Sequence, residues 1–447
     1  MVDRLALVAA PVLLASGLAV GHGRQPAGAP DAGFGAAGQV LTDFGGGFAQ
    51  VNGVVVQNDG RIVAVGSSDQ SEADSTFLLA RYRRDGALDP TFGAGGVVRT
   101  PFTGGASANA VAAERDDRMI VVGTVAPGDG TSEIALARYH RNGELDAAFG
   151  AGGTAVVGFG GTIHDAGAVA IERDGDVVVT GKALPPGAST FQCFVARFDR
   201  HGAPDAGFGE GGHVFTDLGG AFNQDCSAIA LQRDGKIVVA GFNKVRSGVI
   251  MMAVARYERN GTLDATFGTG GLVFADFGGE ASASAVAIQR DGKILAAGVA
   301  VPDRSGAAID FGIIRYDTDG TPDASYGVGG QVLTAFAGPA TANALHLDRC
   351  GRAVAVGLAG AGPSGQNVFA LARYRRDGAL DATFGTGGQV VTDFGGAGAI
   401  ANAVAIQRDG RIIAAGSSLT ADRLASDFAL ARYEDGDRCP DGDGDDD

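Results

Sequence analysis

A segment of about 59 residues recurs along most of this chain. The arginine of an ALARY-type element returns at intervals of 57 to 59 residues, at Arg81, Arg138, Arg197, Arg256, Arg315, Arg373 and Arg432. The aromatic residue of an LDxxFG element returns with the same period, at Phe34, Phe92, Phe149, Phe208, Phe267, Tyr326 and Phe384. Seven copies at so steady a period indicate a repeat architecture, in which each unit packs on its neighbours.

Each unit resolves into four short strands. In the last unit the first two strands are predicted at 403–407 and 411–416, on either side of the turn RDG, and the third strand at 428–433. The fourth strand of the unit before it is predicted at 388–394. The Asp-Gly dipeptide favours a tight hairpin because it tolerates positive φ angles. Since no stretch has the 3.6-residue period of an amphipathic helix, we expect four-stranded antiparallel sheets and little helix.

The order of the strands at the two ends of the repeat predicts a closed ring. The repeat begins with a lone fourth strand, 38–44, and ends after a third strand, 428–433. The N-terminal strand is therefore expected to join the last blade. Four-stranded sheets in radial array form a propeller, which leaves few open strand edges. We predict an all-β, seven-bladed β-propeller over residues 31–433. An open solenoid is the alternative, although neither end carries an atypical polar repeat.

The repeated motifs resemble those of a known bacterial family. The strings QRDGKIVVAG (232–241), ALARY, DGxLDxxFG and GGxVxTDFGG are similar to the delta-60 repeat, a propeller-type repeat of unknown function. The resemblance extends from Asp31 to Tyr433. It implies a propeller on an exported bacterial protein, and it carries over no catalytic residues.

The segments outside the repeat predict export. Residues 5–20 form a short apolar run that is interrupted by Pro11 and Gly17 and preceded by Arg4. This pattern is typical of a secretory signal peptide, because a membrane anchor needs a longer run. We therefore predict a signal peptide at 1–21, a linker at 22–30 and an acidic tail at 434–447. The expected product is a secreted or cell-surface monomer with no membrane span in the mature chain.

The charge and the cysteines narrow the choice of partners and compartment. A net charge of −16 disfavours nucleic acid and anionic membrane surfaces, which bind basic patches. Four cysteines suit an oxidising compartment. The predicted strand directions put Cys193 and Cys226 on one face of the propeller, and Cys350 and Cys439 on the other. Of the three connectivities that four cysteines allow, we therefore favour the pairs Cys193–Cys226 and Cys350–Cys439.

The C-terminal tail is the one segment whose spacing suggests a metal. Asp441, Asp443 and Asp445 alternate as they do at the opening of a calcium loop. However, Asp446 stands where the turn glycine of such a loop belongs, and no glutamate follows. A disordered acidic tail and a low-affinity calcium site are both compatible with this pattern. No other cofactor is expected.

Residues that recur in every unit are expected to be scaffold. The aspartate of LDxxFG is predicted to cap its own turn, and the arginine of ALARY to pair with a carboxylate or with turn carbonyls inside its own blade. The units differ mainly in the loops that join second to third strands and in those that lead from a fourth strand to the next first strand. Both sets lie on one face, which we call the variable-loop face. The loops that join second to third strands span 67–76, 124–133, 182–190, 242–250, 299–310, 358–367 and 417–427.

Binding is therefore expected on the variable-loop face, with neutral drift of exposed loops as the alternative. At the start of the first strands, polar residues are expected to surround the channel mouth and to bind a polar ligand: Asn52, Asn109, Ser227, Ser284, Asn343 and Asn402. A water-filled channel is the simpler interpretation of these residues. His164, next to Asp165, is the most site-like histidine, but no catalytic or zinc motif occurs.

These patterns favour a non-enzymatic binding scaffold for a protein or glycan at the cell surface. One alternative is a hydrolase or lyase with a site at the channel mouth, dependent on calcium. Another is a structural envelope component whose loops bind nothing specific.

Overall fold

The computed structural model consists of β-strands joined by turns and loops. It describes residues 25–69, 76–220, 222–245, 247–303, 306 and 308–436, so the predicted signal peptide and the tail from 437 onward lie outside it. Within this part of the chain there is no helix, and hence none able to cross a membrane. The strands are β1 (Gln39–Thr42), β2 (Phe48–Val56), β3 (Ile62–Asp69), β4 (Phe77–Tyr82), β5 (Val97–Thr100), β6 (Ala106–Ala113), β7 (Met119–Val125), β8 (Glu133–Tyr139), β9 (Thr154–Val157), β10 (Ile163–Ile171), β11 (Val177–Leu184), β12 (Gln192–Phe198), β13 (His213–Thr216), β14 (Gln224–Leu231), β15 (Ile237–Lys244), β16 (Ile250–Tyr257), β17 (Leu272–Ala275), β18 (Glu280–Ile288), β19 (Ile294–Val301), β20 (Asp310–Tyr316), β21 (Gln331–Thr334), β22 (Ala340–Leu347), β23 (Ala353–Ala359), β24 (Val368–Tyr374), β25 (Gln389–Thr392), β26 (Gly398–Ile406), β27 (Ile412–Leu419) and β28 (Ser426–Tyr433).

The strands pair in sequence order, as expected for repeated antiparallel units. Five sheets have four strands each, starting at β6, β10, β14, β18 and β22. An eight-stranded sheet contains β2 to β5 together with β26 to β28, and β1 pairs antiparallel with β28. The two parts of this sheet meet in a single parallel pairing of Phe48 with Ser426. The arrangement is all-β and consistent with a propeller. We number the units one to seven by their first strands, from β2 to β26.

Every first strand contains a β-bulge, which explains why the sequence placed its start too late. In β26 the bulge lies at Asn402, and the strand begins at Gly398, ahead of the predicted start at 403. The bulge interrupts the period-two alternation, so only the part beyond it is recognisable as a strand. A glycine of the second strand faces each bulge. A Cβ on Gly66 would lie 1.8 Å from the carbonyl oxygen of Gln50.

The hairpin turns differ from the prediction in one respect. In the first unit Gly60 has a φ of +82°, whereas Asp59 keeps a negative φ. The carboxylate of Asp59 instead accepts a hydrogen bond of 3.0 Å from the backbone nitrogen of Arg61. The aspartate thus stabilises the turn through its side chain, and only the glycine supplies the positive φ angle.

The core lies between the units. The second and third strands are buried along nearly their whole length, as in β4, where every residue is buried. Side chains from neighbouring units interlock: Val63 and Leu79 of unit one pack with Met119 and Val121 of unit two. Each sheet therefore buries both faces against its neighbours, and the units depend on one another for stability.

The repeated arginine pairs with the aspartate of its own unit, as predicted, but the carbonyl that it contacts belongs to the next unit and not to its own. Arg81 pairs with Asp89 at 3.0 Å, donates to the carbonyl of Arg141 in unit two at 2.6 Å, and covers the ring of Phe92. In the last unit Arg432 pairs with Asp31 and donates to the carbonyl of Arg84 in unit one. The N-terminal segment is thereby held to the last unit and to the first.

Candidate functional site

A groove of about 480 Å³ opens on the variable-loop face where units one, six and seven meet. Its walls come from parts of the chain that are far apart in sequence. They are the start of β2, the loop before β24, the start of β26 and the loop between β27 and β28. The residues that line it include Phe48, Gln50, Ser67, Gln366, Asn367, Ser417, Leu419 and Arg423.

One wall of the groove is a loop with a closed set of hydrogen bonds. The Thr420 hydroxyl donates to Asp422 at 2.6 Å, and the same carboxylate accepts from the backbone nitrogen of Leu424 at 3.0 Å. Thr420 and Ala425 are also joined through their backbones. These contacts hold Arg423 at a φ of +63°, which is uncommon for a residue with a side chain. The loop therefore presents Arg423 and the 74% exposed Leu424 in a defined conformation.

The opposite wall is the loop that precedes β24. Gln366 accepts a hydrogen bond from the backbone nitrogen of Ser364 at 2.8 Å, and its side-chain nitrogen lies 3.4 Å from Asp393. The carbonyl of Asn367 accepts from the backbone nitrogen of Ala399 at 2.8 Å. The loop is therefore attached to the first strand of unit seven, so both walls are pre-formed.

The start of β2 contributes an exposed aromatic ring to the groove. Phe48 is 52% exposed at the start of β2. Its backbone is fixed by Ser426, whose hydroxyl donates to the carbonyl of Ala49 at 2.8 Å and accepts from the nitrogen of the same residue at 3.0 Å. An exposed phenyl ring on a fixed backbone offers a flat apolar contact at little entropic cost.

One position on the first strands is polar in six of the seven units. It lies just before the bulge in every unit and is half-buried or exposed. We call these residues the first-strand row: Gln50, Ser107, Asp165, Asp225, Ser282, Thr341 and Ile400. Gln50 and Ile400 also line the groove, so the two features form one surface.

The first-strand row contains one group of ionisable side chains. Asp165 accepts a hydrogen bond of 2.7 Å from the Thr124 hydroxyl and pairs with Lys182 at 3.3 Å. Burial raises the pKa of Asp225 to about 6, an effect that nearby Asp165 reinforces and Lys182 opposes. A carboxyl with a raised pKa beside a second carboxylate is an arrangement that general acid–base chemistry uses.

The predicted binding residues at the channel mouth are the bulge residues of the first strands, and most of them join neighbouring units. Side-chain nitrogens or hydroxyls reach the next unit in five cases: Asn52 to Ala108, Asn109 to Ala166, Ser227 to Ala283, Asn343 to Ala401 and Asn402 to Val51. Ser284 is also a bulge residue, in β18. These contacts give the residues a structural use, and their binding of a ligand stays a prediction.

His164 is placed differently from what the sequence suggested. It is 1% exposed and packs among Phe159, Phe194 and Phe215. Burial lowers its pKa, so the ring is neutral near pH 7. Asp165 points to Thr124 and Lys182, so no histidine–carboxylate pair forms here.

The cysteine and tail predictions are tested only in part. Cys193 and Cys226 form a disulfide between units three and four, with their Cα atoms 5.2 Å apart. This pair is confirmed. Cys439, the predicted partner of Cys350, lies outside the described residues, as do Asp441, Asp443 and Asp445. That second disulfide and the tail calcium site therefore stay predictions.

Sequence reasoning missed Phe48, Gln50 and Asp225. Gln50 and Asp225 could have been found by aligning the units position by position, because the residue type of the first-strand row differs between otherwise similar strands. Phe48 and Arg423 enter the groove only because units one and seven are adjacent in the structure.

Comparisons with known proteins agree with the architecture. A family model described as a domain of unknown function (DUF5122) beta-propeller matches residues 57–92, 114–149, 232–267, 289–326 and 351–384. These matches are consistent with a propeller-type repeat family. No curated protein sequence matches the chain.

Several solved structures are similar at low identity. A protein of unknown function from Dyadobacter fermentans is 9% identical, with 89% of this chain and 97% of that chain covered and a TM-score of 0.47. A catalytically inactive virginiamycin B lyase from Staphylococcus aureus, solved with quinupristin, is 11% identical, with 88% and 98% covered and a TM-score of 0.46. A neuraminidase-like protein of subtype N11 from A/flat-faced bat/Peru/033/2010 (H18N11) is 12% identical, with 91% and 95% covered and a TM-score of 0.39. None of these similarities transfers a ligand or an activity.

Proposed function

We propose that this chain is an exported, seven-bladed β-propeller of the delta-60 type that binds a ligand on its variable-loop face without catalysing a reaction. Seven blades follow if the eight-stranded sheet counts as two. Closure of the ring is supported by the pairing of β1 with β28 and by the contacts of Arg432 and Asn402 with unit one. Electron microscopy of the purified chain should reveal seven lobes around an axis, whereas an open arc would refute closure.

The groove formed by units one, six and seven is the observation that carries the binding proposal. Its described lining residues offer amides, hydroxyls, one guanidinium and one exposed phenyl ring, and no carboxylate. Amides donate and accept hydrogen bonds, which suits the hydroxyl groups of a sugar, and the Phe48 ring suits its apolar face. The one charged group of the described lining is the Arg423 guanidinium, so the groove suits a polar ligand that is neutral or acidic. We therefore favour a glycan at the cell surface, with a protein as the alternative.

The test is binding of the mature chain, from residue 22 onward, to an array of bacterial cell-wall and extracellular glycans. Phe48→Ala and Gln366→Ala should each weaken binding by at least about tenfold, the loss expected for a packed contact. Val328→Ser is the control, because Val328 is 86% exposed on the opposite face. Binding that survives both groove variants would contradict the proposal. Capture of a surface protein by the natural chain, lost in Phe48→Ala, would keep the groove and replace the ligand class.

Asp165, Asp225 and Lys182 favour a second candidate, a hydrolase or lyase acting at the channel mouth, on units three and four. Asp225, whose pKa is raised by burial to about 6, would serve as the general acid, and Asp165, which pairs with Lys182, would be the second carboxylate of the site. If this candidate is correct, polysaccharide substrates should be cleaved by the natural chain and not by Asp225→Asn. Cleavage by neither chain, with or without calcium, would leave the binding scaffold as the better description.

Secretion and a monomeric state complete the proposal. The disulfide between Cys193 and Cys226 supports an oxidising compartment. Cell fractionation should recover the protein outside the cytoplasm without residues 1–21, and light scattering should give the mass of one chain. Recovery of the uncleaved chain in the cytoplasm would refute export.

A further inference from the structure

The first hairpin turn of unit three departs from a rule that the other six units follow. Each of those units places a lysine or arginine directly after the turn, and that cation pairs with the aspartate of LDxxFG. Lys236 lies 2.7 Å from Asp264, and Lys293 lies 2.6 Å from Asp323. The remaining pairs are Arg61–Asp89, Arg118–Asp146, Arg352–Asp381 and Arg411–Asp31. Unit three has Asp176 at this position, so a carboxylate replaces the cation.

The substitution leaves three carboxylates together. Ligand oxygens of Glu172, Asp174 and Asp176 all lie within 4.8 Å of one another. Four units have glutamine at the Glu172 position, and in units two and six the carboxylates there, Glu114 and Asp348, pair with the cation that follows the turn. Asp174 is the turn aspartate, and the neighbouring units also have an aspartate at this position. Negative groups this close repel one another unless a cation lies between them.

Glu172 provides the independent observation that points to a missing ligand. It is 9% exposed, and neither of its carboxylate oxygens has a hydrogen-bond partner among the described residues. The nearest cation is Arg197, whose Nη1 atom is 4.0 Å from the carboxylate. Arg197 is already used, because it pairs with Asp205 and donates to the carbonyl of Arg259. A buried carboxylate without hydrogen bonds is costly, so native proteins normally supply a partner.

The cluster is accessible from solvent. Glu172 and Asp174 line a cleft of about 540 Å³ between the first hairpin turns of units three and four. An ion bound there has room to keep water molecules as additional ligands. Arg259, 3.6 Å from Asp174, is the nearest side chain that could compete with the ion.

We propose that Glu172, Asp174 and Asp176 bind a divalent cation, with Ca²⁺ as the preferred ion. Carboxylate oxygens are the ligands that hard cations select, and calcium tolerates the irregular geometry of a turn. The ion supplies the positive charge that a lysine or arginine supplies in the other units. It lies at the first hairpin turn of unit three, on the side of the cleft that separates this turn from unit four. This site is separate from the groove on the variable-loop face.

Calorimetric titration of Ca²⁺ into the chelator-treated full chain tests the proposal. The natural chain should bind one Ca²⁺ with a dissociation constant of roughly 0.1–1 mM, the range of extracellular calcium modules. Asp176→Lys, which restores the residue type of the other units, should abolish binding. It should also raise the unfolding temperature in chelator, and calcium should then no longer raise it further.

Two control variants make the result specific. Asp291→Asn removes the equivalent turn aspartate of unit five, where Lys293 is present, and should leave binding unchanged. A variant with Asp441, Asp443 and Asp445 all changed to Asn separates this site from the predicted tail site, and should also still bind. If Asp176→Lys does not fold, Glu172→Gln replaces it, and loss of binding is again expected. No binding of Ca²⁺, Mg²⁺ or Mn²⁺ by the natural chain, or binding that is lost only in the tail variant, would overturn the proposal.

Discussion

A tyrosine at the end of the third strand provides a sharp test of how the units are joined. In five units its hydroxyl contacts a threonine on the fourth strand of the preceding unit: Tyr82–Thr42, Tyr139–Thr100, Tyr257–Thr216, Tyr374–Thr334 and Tyr433–Thr392. The tyrosine of unit five is Tyr316, and the corresponding threonine position, on the fourth strand of unit four, holds Ala275. The Tyr316 hydroxyl, on a side chain that is 1% exposed, consequently has no hydrogen-bond partner in the described part of the chain.

The expected magnitude follows from the cost of an unpaired buried hydroxyl. A hydrogen bond contributes about 0.5–1.5 kcal/mol net, and a buried donor without a partner costs about 1–3 kcal/mol. Ala275→Thr should therefore increase the free energy of unfolding by about 1 kcal/mol. Thr334→Ala, which leaves Tyr374 unpaired in unit six, should lower it by about 1–3 kcal/mol. The five natural threonines at equivalent positions indicate that the fold accommodates this side chain.

Equilibrium unfolding in guanidinium chloride, followed by circular dichroism, would measure these differences. Tyr316→Phe is the matched control, because it removes the hydroxyl, and unit three already pairs Phe198 with Val157 in these positions. The stabilising effect of Ala275→Thr should disappear when Tyr316→Phe is present. An equal gain in both backgrounds would refute the reasoning, because it would mean that the threonine acts without the tyrosine.

Gly66→Ala should lower the free energy of unfolding by about 3 kcal/mol or more, because the new Cβ would lie 1.8 Å from the Gln50 carbonyl oxygen. Gly95→Ala is the comparison: its φ is +66° but the space around it is open, so the loss should be only about 1–2 kcal/mol. A reduced or serine-substituted Cys193–Cys226 pair, 33 residues apart, should cost about 3–4 kcal/mol in the same assay. Burial lowers the pKa of His164 in the folded chain, so on acidification the histidine of the unfolded chain takes up a proton before that of the folded chain. The contribution of neutral His164 to stability is therefore complete above about pH 6.5 and is lost as the pH falls below that value. His164→Phe should therefore flatten the decline in stability between about pH 6.5 and 5, and an unchanged slope would contradict this assignment.

Variable loops are easier to predict from the sequence than a binding surface that several distant segments form together. The variable loops are visible in the sequence, because they interrupt a regular repeat. The groove, however, combines Phe48 with Asn367 and Arg423, which lie more than 300 residues from it along the chain. The asparagines chosen from the sequence are close to this surface, but the bulges direct Asn52 and Asn402 into contacts with the next unit.

The sequence alone determined the repeat, the order of the strands and the pairing of the recurring arginine with a carboxylate of its own unit, because each of these depends on residues that are close along the chain or on a fixed period. The contact of that arginine with a carbonyl of the next unit came only from the tertiary structure. The sequence also allowed the Cys193–Cys226 pair to be predicted, because the direction of the strands decides on which face of the propeller each cysteine lies. Only the tertiary structure decided that, among the residues it describes, the buried Glu172 carboxylate and the Tyr316 hydroxyl find no hydrogen-bond partner. Burial and pairing depend on which side chains of neighbouring units meet, and packing between units sets those contacts.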